Sequence, residues 1–309
     1  MKLAPILLFT YNRPKHTKEA LEALKDNYLA SESDLYIFSD SHKNYDNKEK
    51  VEQVRKIIDN IKGFRSIKII KQEKNLGLAT SIINGITNIC NEYDRFIVLE
   101  DDIKTFPYFL TFMNEGLEFY KDKPYVMQIN GYFFQHNEIL PETFFYNHAL
   151  CWGWASWKRS WDFLVKNEDY KDINKLINNI KNKKDLNSKM YLKNALSQLY
   201  ANKNGEINTW ATRWQAIITG NNGVCLTPKY SLTQNIGNDN SGENSKFTSI
   251  FSVQDYNKKI YIDKIVQDES IEAIKISNRV LKRFRGSLFK RFIRKIKNIS
   301  TLINKSKIK

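Results

Sequence analysis

Four short apolar runs punctuate about the first hundred residues, and the spacing between them leaves few folds open. Leu3 to Phe9, Asp34 to Phe38, Ser66 to Ile70 and Phe96 to Leu99 are each too short for a helix and read as strands. Between them, Lys15 to Lys25, Lys48 to Ile61 and Ala79 to Cys90 repeat apolar residues at helical spacing, as in Val51, Val54, Ile57, Ile58 and Ile61. Pro14 suits the first turn of the first of these helices. This alternation predicts an α/β chain, with a mostly parallel sheet flanked by helices over residues 1–104.

The fourth run ends in Glu100-Asp101-Asp102, where such a strand leaves its sheet. Open α/β sheets bind ligands in the crevice at the carboxyl ends of their strands. Three adjacent carboxylates repel one another, and a hard divalent cation such as Mn²⁺ or Mg²⁺ relieves that conflict. Mg²⁺ also leaves coordination positions to water and substrate phosphates. The motif therefore points to a diphosphate site. The competing reading is a solvated acidic turn in which Asp102 caps a helix over Pro107 to Tyr120.

Beyond residue 104 the rhythm is lost. Tyr125 to Asn130, Phe144 to Tyr146 and Gly223 to Pro228 read as strands, and Asp169 to Asn204 and Trp210 to Gly220 as helical. Gly237 to Ser245 is a Gly/Asn/Ser loop.

Composition and charge remove several classes. With 41% hydrophobic and 13% aromatic residues over 309 positions, the chain can bury a sizeable core. Cys90, Cys151 and Cys225 lack metal-ligand spacing and are expected to be reduced thiols of a cytoplasmic protein. Neither a long apolar run nor a signal-peptide pattern is present. His16, His42, His136 and His148 show no zinc-protease spacing, and there is no P-loop. The net charge of +15 suggests nucleic acid, yet twelve bases and no acid lie between Arg279 and Lys309. The rest holds 37 bases against 34 acids, so no nucleic-acid partner is expected. Between Val280 and Ile303, residues such as Leu281, Phe284, Leu288, Phe292, Ile296 and Ile299 form an apolar helical stripe among those bases. A C-terminal basic amphipathic helix is expected, peripheral at the anionic inner face of the cytoplasmic membrane. Its competitor is a helix packed on the body. A chain cut after Ser277 is expected to stay folded.

In order, these pieces resemble the GT-A glycosyltransferases. The likeness is to the inverting branch with N-acetylglucosaminyltransferase I and the bacterial sugar transferases of surface polysaccharide synthesis. It rests on Thr10-Tyr11-Asn12-Arg13-Pro14, Ser39-Asp40, Asn75-Leu76-Gly77-Leu78-Ala79 with Ser81, Glu100-Asp101-Asp102, and Cys151-Trp152-Gly153-Trp154 with Trp157 and Trp161. The resemblance implies a nucleotide-sugar-binding half over 1–104, an acceptor-binding half over 105–250 and a basic helical tail over 251–309. It further implies donor contacts from Thr10, Tyr11, Asn12, Arg13, Asp40, Asn75, Gly77, Ser81, Glu100 and Asp101. Asp102 would be the metal ligand, for Mn²⁺ or Mg²⁺, and Trp154 and Trp157 would meet the acceptor. Plainer roles compete: Asp40, Asn75 and Gly77 as turn residues, Arg13 paired with a surface acid, the tryptophans as core.

The family's base is an Asp in a Trp-Asp segment ahead of an Arg. In Trp210-Ala211-Thr212-Arg213 that position is Ala211, which leaves Glu206 and Asp239 as candidates. The expected activity is metal-dependent, inverting transfer of a hexosyl or N-acetylhexosaminyl group from a UDP-type donor to a lipid-linked surface glycan. The alternative is a catalytically inactive glycan- or nucleotide-binding protein of the same fold.

Overall fold

The four runs form β1 (Ile6–Thr10), β2 (Asp34–Ser39), β3 (Ser66–Lys71) and β4 (Arg95–Glu100), joined by α1 (Pro14–Lys25), α2 (Lys48–Asp59) and α3 (Leu78–Ile89). The structure, a computed structural model, describes residues 2–168, 172–182, 189–241, 247–265 and 269–285. The four strands are parallel, in the order β3-β2-β1-β4. Ile6 and Leu8 of β1 enter one core with Leu21 and Leu24 of α1 and Val54 and Ile58 of α2. Leu7 and Phe9 enter the other, with Ile82 and Ile86 of α3. Burial on both faces is why these runs are continuously apolar instead of alternating.

Register sets Thr10 beside Ser39 and Phe9 beside Glu100, so the carboxyl ends of β1, β2 and β4 lie level. The chain travels outward from β1 to β3 and returns on the far side of β1. Strand order therefore reverses between β1 and β4, which opens a crevice there.

The remaining elements are β5 (Ile103–Thr105), α4 (Phe109–Phe119), β6 (Val126–Asn130), β7 (Thr143–Tyr146), β8 (Trp154–Trp157), α5 (Lys158–Lys166), α6 (Ile173–Lys181), α7 (Lys189–Lys203), α8 (Trp210–Gly220), β9 (Val224–Pro228), β10 (Thr233–Asn235) and α9 (Ile271–Arg285). One sheet runs β3-β2-β1-β4-β8-β6-β9-β7. The parallel sheet expected over residues 1–104 is present, and the second half makes the whole sheet mixed: β8 is antiparallel to β4 and β6, β7 is antiparallel to β9, and β6 and β9 are parallel. No helix lies between β6 and β8, and a return without a crossover helix favours antiparallel pairing.

β5 and β10 form a second, two-stranded sheet that pairs Ile103 with Asn235 and Thr105 with Thr233. Asp102 therefore leads into a strand, and the N-cap of α4 is Tyr108. This removes the helix-cap reading of Asp102.

α9 packs Ala273, Ile274, Ile276 and Val280 against Phe133, Phe134 and Phe144. Ser277 is fully buried within it, and Phe284 meets Phe251 at 4.9 Å between ring centroids. A cut after Ser277 would strip buried Val280 from this contact, so that truncation is not neutral for the body. The stripe begins as a packed helix, and its remainder, residues 286–309, lies outside the described residues. Among the described residues no helix is long and apolar enough to cross a membrane.

Candidate active site

A cavity of about 390 Å³ opens where β1, β2 and β4 end. Thr10 to Arg13 line it from the β1–α1 turn, Asp40 from the end of β2, Asn75, Gly77 and Ser81 from the start of α3, and Glu100 to Asp102 from the end of β4. Every residue assigned to donor or metal from the sequence thus reaches one space.

Arg13 organises the acids. Its Nη1 donates to Asp102 Oδ2 at 2.9 Å and its Nη2 to Asp101 Oδ1. Asp101 Oδ2 accepts the Tyr11 N–H at 3.2 Å, so both oxygens of Asp101 serve the β1–α1 turn. Burial alone would lower the Arg13 pKa, but Asp101 and Asp102 hold it above its ordinary value. Burial raises the Asp101 carboxyl despite Arg13. Glu100 is pushed up to about 8, by burial first and then by Asp102 and Asp101.

Among the described residues no cluster of three or more His, Cys, Asp or Glu side chains is disposed to hold a metal. The donor set nonetheless suits a hard divalent ion of the kind held by one or two carboxylates plus substrate phosphates. Asp102 Oδ1 receives no hydrogen bond among the described residues, and the side chain lines the cavity. Asp102 is the residue that would hold such an ion.

Asp40 is committed differently. Oδ1 accepts the N–H groups of Ser41 (2.8 Å) and Leu76 (2.9 Å), and Oδ2 accepts Gly77 N–H (2.9 Å) and Asn75 Nδ2 (3.1 Å). A carboxylate has about four acceptor positions, and all are filled from within the chain. Asp40 thus ties the end of β2 to the turn that starts α3 and shapes the cavity wall. The direct nucleoside contact expected of it would have to displace one of these donors.

The chain after β10 closes one side of the cavity. Ile236 N–H donates to the Asp102 carbonyl at 2.9 Å, and Asn235 Oδ1 accepts Gly237 N–H at 2.8 Å. A Cβ on Gly237 would lie 2.2 Å from Asp102 Oδ2 and 2.9 Å from Arg13 Nη1, so only glycine lets the loop approach the pair. Asp239 follows, with Oδ2 3.1 Å from His16 Nε2 of α1. Its pKa is lowered to about 2, chiefly by hydrogen bonds from Ser241 and also by His16. Its neighbours Asn238 and Ser241 line the cavity. Glu206 does not; it accepts a bond from Asn204 Nδ2 at 3.0 Å on an exposed turn.

Trp154 and Trp157 are core residues, 1% and 4% exposed. Trp154 stacks on Trp210 at 5.4 Å and meets Phe96 edge-on at 5.7 Å. Trp157 donates its indole N–H to the Leu117 carbonyl at 3.2 Å. Neither lines the cavity, which corrects the acceptor assignment; the tryptophan that does so is Trp152. Residues two apart in a strand share a face, but Gly153 at φ +78° breaks that relation. Sequence reasoning also passed over Lys43, Asn235 and Asn238, all on the cavity wall. Lys43 was legible, as the first base after Ser39-Asp40. Arg13 spends its guanidinium on Asp101 and Asp102, whereas among the described residues Lys43 has no carboxylate partner.

His148, 1% exposed, is sandwiched between Tyr191 (3.6 Å) and Tyr146 (4.1 Å), and burial holds its pKa well below 6.5. Unfolding frees it to bind a proton, so its contribution is present above pH about 6.5 and lost as pH falls towards the folded pKa. Over that window stability falls by up to about 1.4 kcal/mol per pH unit. The His148→Phe variant should show a flatter Tm-against-pH curve below pH about 6.5; parallel curves would assign the acid sensitivity elsewhere.

No protein-family model matches the sequence, and no curated protein matches it. Among solved structures, the chain is similar to S. aureus TarS 1–349, at 11% identity and TM-score 0.40 over 75% of this chain and 60% of that one. It is also similar to a mannosyltransferase, PcManGT from Pyrobaculum calidifontis in complex with GDP-Man and Mn²⁺, at 8% identity and TM-score 0.39 over 71% of this chain and 69% of that one. A third is apo UDP-glucose pyrophosphorylase, at 8% identity and TM-score 0.36 over 76% of this chain and 94% of that one. TM-scores of this size are too low to carry a fold family or an activity across to this chain.

Proposed function

We propose that the chain is a metal-dependent glycosyltransferase that moves a hexosyl or N-acetylhexosaminyl group from a UDP-type donor to a surface glycan with inversion. One observation carries this reading: residues from four separate stretches, chosen for donor or metal binding, converge on one cavity at the strand-order reversal. Burial without a ligand would not require four acids and two bases to share that space.

Within the cavity Arg13 fixes Asp101 and Asp102, and Asp40 holds the Asn75–Gly77 turn, which also lines it. Mn²⁺ or Mg²⁺, when bound at Asp102, would supply positive charge against the departing diphosphate. Lys43 supplies the chain's own uncommitted positive charge for the donor phosphates. Lys43→Ala should weaken UDP binding about tenfold by calorimetry, as loss of one charge-assisted contact implies; unchanged affinity would place the phosphates elsewhere.

An inverting transfer needs a carboxylate to accept the proton of the acceptor hydroxyl. We assign it to Asp239, beside the cavity on a loop that could close over donor and acceptor. Its low pKa keeps it ionised, although a base works best when its pKa lies near the operating pH. Asp239→Asn should lower turnover by about 10²-fold or more with donor affinity retained, and Glu206→Gln should leave turnover unchanged. Normal transfer by Asp239→Asn would sink the assignment.

A catalytically inactive binding protein of the same fold is the second reading, favoured by Ala211 in the family's base position. Incubation with UDP-sugars and Mn²⁺ separates the two. Donor hydrolysis or transfer excludes the inactive protein, and tight binding without turnover excludes the enzyme.

A further inference from the structure

The cavity carries Lys43 on one side and uncharged polar groups on the other. At the end of β2, Asp40 holds the Asn75–Gly77 turn, and the Lys43 N–H donates to the Tyr11 hydroxyl at 3.2 Å. Trp152, Asn235 and Asn238 gather beyond β4, just before β8 and at the end of β10. The Thr233 hydroxyl of β10 donates to the Trp152 carbonyl at 2.7 Å, and Asn235 closes the same strand. Sheet order puts β1 and β4 between β2 and β8, so Glu100, Asp101 and Asp102 lie between the two sides.

Three polar groups on the uncharged side are unspent. Trp152 is held edge-on by Tyr132 at 4.7 Å and Phe251 at 5.4 Å, yet its indole N–H has no acceptor among the described residues. Asn235 is 9% exposed and uses Oδ1 on the Gly237 N–H, which leaves its Nδ2 for the cavity. The Asn238 carbonyl accepts from Thr248, while its side-chain amide has no partner among the described residues. The bases beside them are committed, Arg13 to Asp101 and Asp102 and His16 to Asp239. A phosphate or carboxylate on this side would meet Glu100, Asp102 and Asp239 and, among the described residues, no uncommitted base. A sugar ring without charge suits the set. Its C–H face packs on an aromatic ring, and its hydroxyls accept from amide and indole N–H groups.

We propose that Trp152, Asn235 and Asn238 form a sugar-binding face that takes an uncharged pyranose of the acceptor and rejects sugars bearing phosphate or carboxylate. That this sugar is the acceptor rests on the transferase reading; the face itself does not.

The test is saturation-transfer NMR on the full chain, with UDP and Mn²⁺ added to fill the donor side. Methyl glucoside and N-acetylglucosamine should bind, and glucuronic acid and glucose phosphate should bind about tenfold more weakly or not at all. Trp152→Ala and Asn238→Ala should each weaken methyl glucoside binding about tenfold and UDP binding less, as loss of a ring contact or a hydrogen bond implies. Trp152→Tyr, which keeps a ring and a donor, should retain most of the affinity. Tm is followed in parallel, and Asn238→Ala decides the matter if Trp152→Ala loses its fold. Three outcomes overturn the face: anionic sugars bound as tightly as uncharged ones, uncharged sugars bound equally by wild type and both alanine variants, or no uncharged sugar bound. If UDP still binds in that last case, the donor side of the transferase reading stands without the face. Uncharged sugars bound in the expected pattern by a chain with no affinity for UDP would keep the face and remove the transferase.

Discussion

Asp102→Asn should abolish Mn²⁺-dependent binding of a UDP-sugar while the chain stays folded. The effect should exceed the roughly 10–100-fold that loss of an outer-shell partner costs a metal site, because Asp102 offers the carboxylate oxygen left open to a cation. Asp101 should not compensate, since Arg13 and the Tyr11 N–H already use its two oxygens. The fold should survive because an amide oxygen at this position can still accept from Arg13 Nη1, Asp101 keeps its own pair with Arg13, and removing one of three adjacent carboxylates relieves repulsion. Calorimetric titration with and without Mn²⁺ measures the effect directly. A wild-type response to Mn²⁺ in Asp102→Asn would remove the metal assignment.

Trp154→Ala should act in the opposite way, on stability instead of on ligand. The indole is fully enclosed by Phe96, Trp161, Trp210 and Trp214, so truncation leaves a cavity where four aromatic rings converge. The expected loss is about 3–5 kcal/mol, the range for a buried large aromatic cut to alanine. Denaturant unfolding should show a lower midpoint, and UDP affinity of the folded fraction should not change. Loss of acceptor affinity at unchanged stability would restore the sugar-binding role. Trp152→Ala makes the contrast, because Trp152 lines the cavity and its loss should reach ligand binding.

The positions of β1 to β4 and of the helices between them were legible because those signals are local. An apolar run buried on both faces reads as a strand, and apolar residues at helical spacing read as a helix. The ends of the strands were legible for the same reason, and with them the polar residues that gather there, from Thr10 to Asp102. Direction and partnership were not local. β6 and β9 read the same whether they pair parallel or antiparallel, and β8, a four-residue strand with no expected counterpart, enters between β4 and β6. β5 and β10 are three-residue strands that exist only because Ile103 and Asn235 meet across the fold.

The roles of single side chains were decided in the same way. Asp40 looked like a ligand-facing acid until four donors from its own chain filled it. Trp152 and Trp154 have the same side chain, and the turn at Gly153 sends one to the cavity and the other to the core. Residue type and spacing determined which atoms could do chemistry. Only the tertiary structure decided which of them remain unpartnered and face open space, because hydrogen-bond saturation and burial are set by neighbours distant in sequence.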